Sequence, residues 1–209
     1  WEYKDGWLYR NHATTASTTF NMDNWTACKG CADTFSKNSD MLKPFPKGTY
    51  KPTLPEKLMI TGVLDGDLSG GYPKALELYA VTDIADLSKY GIDVNSNGST
   101  TASTKPDYYF ESGSLTAGSF YHIGRRSGTG GGGFDDWFGV AADMYTNSNT
   151  FNGNDAIILS KITSTDTVII DVAGAPLVNG SGQPWEYKDG WLYRNHATTA
   201  STTFNMDNW

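Results

Sequence analysis

Apolar positions along this chain come in short runs separated by polar, turn-forming residues, the period of half-buried strands. Residues 58–63 (LMITGV) form one apolar run, and 75–79 (ALELY) alternates around Glu77. Residues 120–123 (FYHI) follow a Gly-Ser turn. Residues 156–159 (AIIL) and 167–171 (TVIID) flank the polar stretch 160–166 and predict a hairpin. Trp185, Tyr187, Trp191 and Tyr193 alternate about an Asp189-Gly190 turn. Six or more short strands punctuated by Gly, Asn and Asp predict an all-β sandwich or barrel. Helical signal is thin. One turn is expected over 82–87, capped by Thr82 or Asp83, and a short helix over 135–142 that Gly139 keeps from lengthening. Residues 95–106 and the glycine-rich 127–133 read as loops.

The same pattern occurs twice. Residues 1–25 and 185–209 both read WEYKDGWLYRNHATTASTTFNMDNW, an offset of 184 in a chain of 209. One full period is therefore followed by the start of the next. Two identical segments cannot fill one slot in one domain, so one copy is expected to serve a neighbour. Between the first copy and the strands, residues 26–53 carry both cysteines and three of the eight prolines (Pro44, Pro46, Pro52). They read as a stiffened linker. Pro55 then marks the approach to the first strand.

Composition narrows the function classes. A formal charge of −7 argues against a phosphate-backbone binder, which needs a basic stripe, so no nucleic acid is expected. No apolar run approaches the roughly 18–20 residues that span a bilayer, so no membrane insertion is expected. Charged residues are 19% and aromatics 13%, and Gly, Ser, Thr and Asn are plentiful. That mixture suits an extracellular or cell-surface all-β domain. The chain begins at Trp1 rather than Met, and the reading expects something ahead of it.

Candidate chemistry is sparse. Cys28-Lys-Gly-Cys31 lacks the second ligand pair of a zinc site, the βαβ setting of a redox motif and the histidine of a haem site. It reads as a short disulfide in an oxidising compartment, with a bond between neighbouring chains as the other option. Asn24, Asn97 and Asn179 head N-glycosylation sequons. The same segments equally describe polar turns. Asp65-Gly-Asp67-Leu-Ser-Gly70 resembles the start of a calcium loop, but position twelve is Leu76. Asp65 and Asp67 could still bind Ca²⁺ with Asp135 or Asp136; a tight acidic turn is the plainer reading. His12, His122 and His196 form no triad, and no nucleophile–base pair is found, so no catalytic residue and no enzyme is expected. Arg125-Arg126 reads as a solvated turn.

A family resemblance runs through the second part of the chain. Residues 74–79 (KALELY), 86–88 (DLS), 115–121 (LTAGSFY), 152–159 (NGNDAIIL) and 168–171 (VIID) occur in the order seen in lamin tail domains of the exported microbial kind. Trp185-Glu-Tyr, Trp191, Tyr193-Arg194, Thr203-Phe204 and Asp207-Asn-Trp209 resemble that family's closing motif. The resemblance implies an immunoglobulin-like β-sandwich over 54–209 with structural or adhesive use and no catalytic residues. It also implies a phase: 185–209 closes this sandwich, and 1–25 is the closing segment of a preceding identical unit.

The leading expectation is a structural protein of tandem sandwiches in an extracellular fibre or surface appendage, its main partner a further copy of itself. In the first copy Trp1, Tyr3, Trp7, Tyr9, Phe20 and Trp25 would pack between units, since each large ring gains about 2–3 kcal/mol on burial. The alternatives are a glycan- or calcium-binding adhesion module, using exposed aromatics near Trp137 and Tyr145, and an accessory domain of a secreted hydrolase.

Overall fold

A computed structural model describes residues 2–11, 14, 16–32, 34–49, 57–99, 105–128, 131–146 and 151–209. Trp1, His12 and the 50–53 end of the expected linker lie outside these residues. The chain divides into two compact units, Trp1–Pro55 and Glu56–Trp209.

The first unit is built on an antiparallel pair, β1 (Trp7–Arg10) and β2 (Trp25–Cys28), with Trp7 opposite Cys28 and Arg10 opposite Trp25. A single 3₁₀ turn, Met22–Asn24, leads into β2. It forms because the Asn21 side chain accepts the Asp23 N–H at 3.0 Å, satisfying an otherwise orphaned donor. The Asn11 N–H donates to the Asn24 carbonyl at 2.8 Å and extends the ladder into the hairpin. Residues 26–28, where the sequence reading starts a linker, are thus strand rather than linker. The segment beyond is also engaged. Phe45 lies edge-on to Trp7 and Tyr9, with ring centroids 6.3 and 5.3 Å away, and the Lys43 carbonyl accepts the Trp7 indole N–H at 2.9 Å. The physical reason is ring area: a Trp and a Tyr side by side cost more in water than ordering a short proline-rich segment over them.

The second unit is the all-β sandwich that the strand pattern predicts. In chain order it contains β3 (Leu58–Leu68), β4 (Tyr72–Ala80), β5 (Tyr90–Asn95), β6 (Tyr108–Tyr109), β7 (Phe120–Arg125), α1 (Phe134–Phe138), β8 (Met144–Thr146), β9 (Ala156–Ile162), β10 (Thr167–Ala173) and β11 (Gly190–Tyr193). One sheet has the order β10-β9-β5-β6, the other β11-β3-β4-β7-β8. Neighbouring strands are antiparallel except β7 and β8. Alternation along β4 sends Leu76, Leu78 and Ala80 into the core. Ile157 and Leu159 of β9, Ile92 of β5 and Ile123 of β7 join them there. The expected 156–171 hairpin forms, with a register shift between Ile169 and Asp171.

Two local elements differ from expectation by a few residues. The turn expected over 82–87 is a 3₁₀ turn at Leu87–Lys89, because Asp86 rather than Thr82 or Asp83 caps it, accepting the Ser88 N–H at 3.0 Å. The short helix starts at Phe134, where the Asp136 carboxylate accepts the Gly133 N–H at 3.3 Å, and stops at Gly139, which takes a φ of 70°.

Candidate interaction site

The closing segment 185–209 belongs to the sandwich core. The Trp185 indole is buried and lies close against the backbone of Gly174 and Gly180. A Cβ built on Gly180 would come within 2.6 Å of the ring, and one on Gly174 within 2.7 Å. Tyr187 is buried, and its hydroxyl donates to the Asp155 carbonyl at 2.9 Å. Burial, reinforced by Asp155 and Asp65 nearby, pushes that hydroxyl well above the usual tyrosine range. Leu192 points inward from β11 while the adjacent Trp191 is 71% exposed.

Arg194 fastens this segment to both sheets. Its Nη2 donates to Asp171 at 2.7 Å, its Nε to the Ile60 carbonyl at 2.6 Å and its Nη1 to the Thr199 carbonyl at 3.1 Å. Asp171 also accepts the Ile60 and Ser201 N–H groups, each at 2.8 Å. Burial pushes the Asp171 carboxyl up and the Arg194 guanidinium down, and each partner opposes the other's shift. The Arg194 guanidinium covers the Trp209 ring at 4.3 Å.

The first copy repeats the local part of this structure and none of the core part. The turn Met206–Asn208 matches Met22–Asn24, and the Asn195 N–H donates to the Asn208 carbonyl at 2.8 Å as Asn11 does to Asn24. Arg10 lies 4.3 Å above Trp25, as Arg194 does over Trp209. The ring distances Phe20–Trp25 and Phe204–Trp209 are both 6.4 Å. Asp5 and Asp189 share a left-handed φ, 53° and 52°. Burial differs. Tyr187 is 1% exposed, and its counterpart Tyr3 is 51% exposed. β11 pairs with β3, whereas the identical residues of β1 pair with β2. Of the aromatic set expected between units, Trp7 and Tyr9 are half-buried under Phe45, and Phe20 stacks on Trp25.

On the outer face of the five-stranded sheet, Trp191 and Tyr193 form one wall of an open apolar groove of about 500 Å³. Trp137, Phe138 and Val140, from α1 and the residues after it, form the other wall. Glu77 lies on its floor, accepting the Tyr193 hydroxyl at 2.8 Å and the Thr61 hydroxyl at 2.7 Å, with His122 Nε2 at 3.2 Å. Burial and then Glu77 push the Tyr193 hydroxyl up. Trp137 is 55% exposed here. Tyr145, the other aromatic proposed as a contact, instead donates its hydroxyl to Asp135 and packs under Arg126 at 4.0 Å.

The aspartates read as calcium candidates are separately employed. Asp65 is buried, takes the Lys74 ammonium on one oxygen and accepts the Gly153 N–H at 2.8 Å on the other. Asp67 is exposed on the β3 end. Asp135 holds Tyr145, and Asp136 holds Ser127 while capping α1. The Ser127 hydroxyl draws the Asp136 carboxyl below its usual range. No group of three or more His, Cys, Asp or Glu of metal-holding geometry occurs among the described residues. The Asp-Gly-Asp stretch runs within strand β3, which sets Asp65 opposite Lys74.

Cys28 and Cys31 are joined by a disulfide, with Cα atoms 5.8 Å apart. Two sequon asparagines, Asn97 and Asn179, are exposed and meet at one spot. Asn154 donates to the side-chain oxygen of both, at 2.7 and 3.1 Å. Asn24 is half-buried at the end of the first unit's 3₁₀ turn. Sequence reasoning missed Asp171, Lys74 and Asn154, because each is defined by a partner on another element: Arg194 for Asp171, Asp65 and the Phe151 carbonyl for Lys74, and Asn97 and Asn179 for Asn154.

The fold and its site together describe an all-β sandwich whose closing segment occurs twice, once in the core and once outside it. No family model, curated protein or solved structure matches the chain. No helix among the described residues is long and apolar enough to cross a membrane.

Proposed function

We propose that this chain is a structural protein in which identical sandwich units of the lamin-tail type are joined head to tail, forming an extracellular fibre or surface appendage. The observation that carries this reading is the double use of one sequence. The segment forms the same capped turn and the same asparagine-to-asparagine backbone bond in both places, yet in the trailing copy Tyr187 is buried and Arg194 is paired with Asp171, while Tyr3 stays half exposed. A segment with that much aromatic area is made to be covered. Its complement, the face around β3 and β10, is filled within each sandwich by that sandwich's own closing segment. Units repeated every 184 residues along the chain would meet through unlike surfaces, and contacts of that kind propagate as a filament wherever the rotation between units does not close a ring. The disulfide and the acidic, Thr/Ser-rich surface fit an oxidising, extracellular setting.

The test is the particle itself. Electron microscopy of material from the native source, with light scattering on the purified chain, is expected to show filaments or concentration-dependent oligomers. A monodisperse monomer at all concentrations, and no polymer in the source, would sink the proposal.

A further inference from the structure

Among the described residues β11 is the outermost strand of its sheet, and that edge has a defined chemistry. In an antiparallel ladder, successive residues turn their N–H and C=O groups to opposite sides. The Arg194 N–H donates to the Thr61 carbonyl at 2.8 Å, so Arg194 and Leu192 face β3. Trp191 and Tyr193 therefore direct their backbone groups away from the sheet. In the first copy the Asn11 N–H donates to Asn24, so Asn11, Tyr9 and Trp7 face β2. The edge that β11 leaves open is the same edge on which its identical twin β1 carries β2.

The side chains tell the same story. Trp7 and Tyr9 are covered by Phe45, and the Trp7 indole N–H is satisfied by Lys43. Their counterparts Trp191 and Tyr193 are 71% and 43% exposed along the apolar groove. Among the described residues β11 has no second ladder partner and no cover for its two rings, and residues 26–49 supply both to β1.

We propose that the outer edge of β11 and the adjoining groove are the docking site for a second copy of residues 26–49. The strand seen as β2 would become the sixth strand of this sheet, with its Thr26 opposite Tyr193 and its Cys28 opposite Trp191, by the register of β1 with β2. Its Phe45 would cover Trp191 and Tyr193 at the mouth of the groove. The hairpin that aims such a strand is already in place, held by Asn195 and Asn208. The inference rests on the head-to-tail reading only for the source of the strand, since a tandem array sets residues 26–49 directly after the closing segment. Those residues are then part of the sandwich that precedes them, not a spacer between two.

The experiment uses the full chain with a copy of residues 26–49 appended after Trp209, compared with the unextended chain and with a scrambled extension. Amide hydrogen exchange at Trp191 and Tyr193 is the readout, with Trp7 and Tyr9 in the same molecule as the paired reference. The extension is expected to slow exchange at both sites by tenfold or more, towards the reference, and to shield Trp191 from an aqueous quencher. Replacing the appended copy of Phe45 by Ala is expected to restore quenching while the amides stay slow. If the extended chain misfolds, a synthetic peptide of residues 25–49, oxidised at its cysteines and titrated into the unextended chain, asks the same question. Unchanged exchange at Trp191 and Tyr193 in an extended chain that is otherwise folded overturns the inference. Light scattering on the same samples separates the two proposals. A docked extension on a protein that never polymerises leaves this site standing and removes the fibre; a fibre with fast-exchanging Trp191 and Tyr193 does the reverse.

Discussion

Arg194 donates to Asp171 at 2.7 Å, and the pair has almost no contact with solvent. Arg194 follows β11 in one sheet, and Asp171 sits on β10 in the other, so the pair ties the two layers together. Both flank Ile60, whose N–H goes to the aspartate and whose carbonyl takes the arginine. Removing the cation leaves a buried carboxylate with its charge uncompensated, which typically costs about 3–5 kcal/mol. Arg194→Ala is therefore expected to lower the sandwich's unfolding free energy by that amount. Arg10→Ala, at the same place in the repeat, is expected to leave the sandwich transition unmoved, because Arg10 belongs to the other unit. Denaturant titrations of the two variants check this; equal effects would contradict the assignment of the trailing copy to the core.

The slot for Trp185 predicts a second asymmetry. Gly180→Ala would put a methyl group 2.6 Å from the indole, and overpacking of this kind costs roughly 1–3 kcal/mol. Gly113→Ala, where a Cβ meets nothing within 4 Å, is the matched control and is expected to change stability by less than about 0.5 kcal/mol. Thermal melts of both variants decide it.

Asp93 gives the sandwich a pH dependence of definite sign. Burial, then the hydrogen bond and charge of Asp107, push its carboxyl from 3.8 up to about 6. The folded state holds a proton there that the unfolded chain, with an ordinary carboxyl near ~4, has released. Stability is therefore greatest below the unfolded value and is lost as pH rises through about 4 to about 6. The raised Asp171 carboxyl acts in the same direction. Melting midpoints recorded from pH 4 to pH 7 are expected to fall more steeply for the wild type than for Asp93→Asn. Parallel curves would show that Asp93 ionises normally.

Reduction of the disulfide tests the division into units. Cys28 and Cys31 are three residues apart and lie in the first unit. So short a loop contributes little chain entropy, and none of it to the sandwich. A reductant is expected to speed amide exchange around β1 and β2 and to leave the sandwich midpoint within about 0.5 kcal/mol of its oxidised value. A large drop in the midpoint would show that the two units unfold together.

Much of the sandwich was legible beforehand, and for a local reason. Leu76 and Leu78 alternate with Glu77, and Asp189-Gly190 turns the chain. Each of these signals acts over a handful of residues. The Asp-Gly-Asp stretch reads as a tight acidic turn or the start of a calcium loop, and the partner of Asp65, Lys74 across the β3–β4 pair, is not legible there. The linker reading of 26–53 stopped short because nothing near residue 26 announces that β1, on the far side of a turn, is its ladder partner.

The repeated segment separates the two kinds of information. Its sequence alone determines the local turns: the same asparagine cap, the same left-handed aspartate and the same arginine over tryptophan arise in both copies, because their partners lie within the segment. Only the tertiary structure decides whether Tyr187 is buried and Arg194 is paired, while the same letters leave Tyr3 half in water. Those outcomes need β3 and Asp171, more than a hundred and about twenty residues away along the chain, brought close by the burial of apolar surface in the sandwich core.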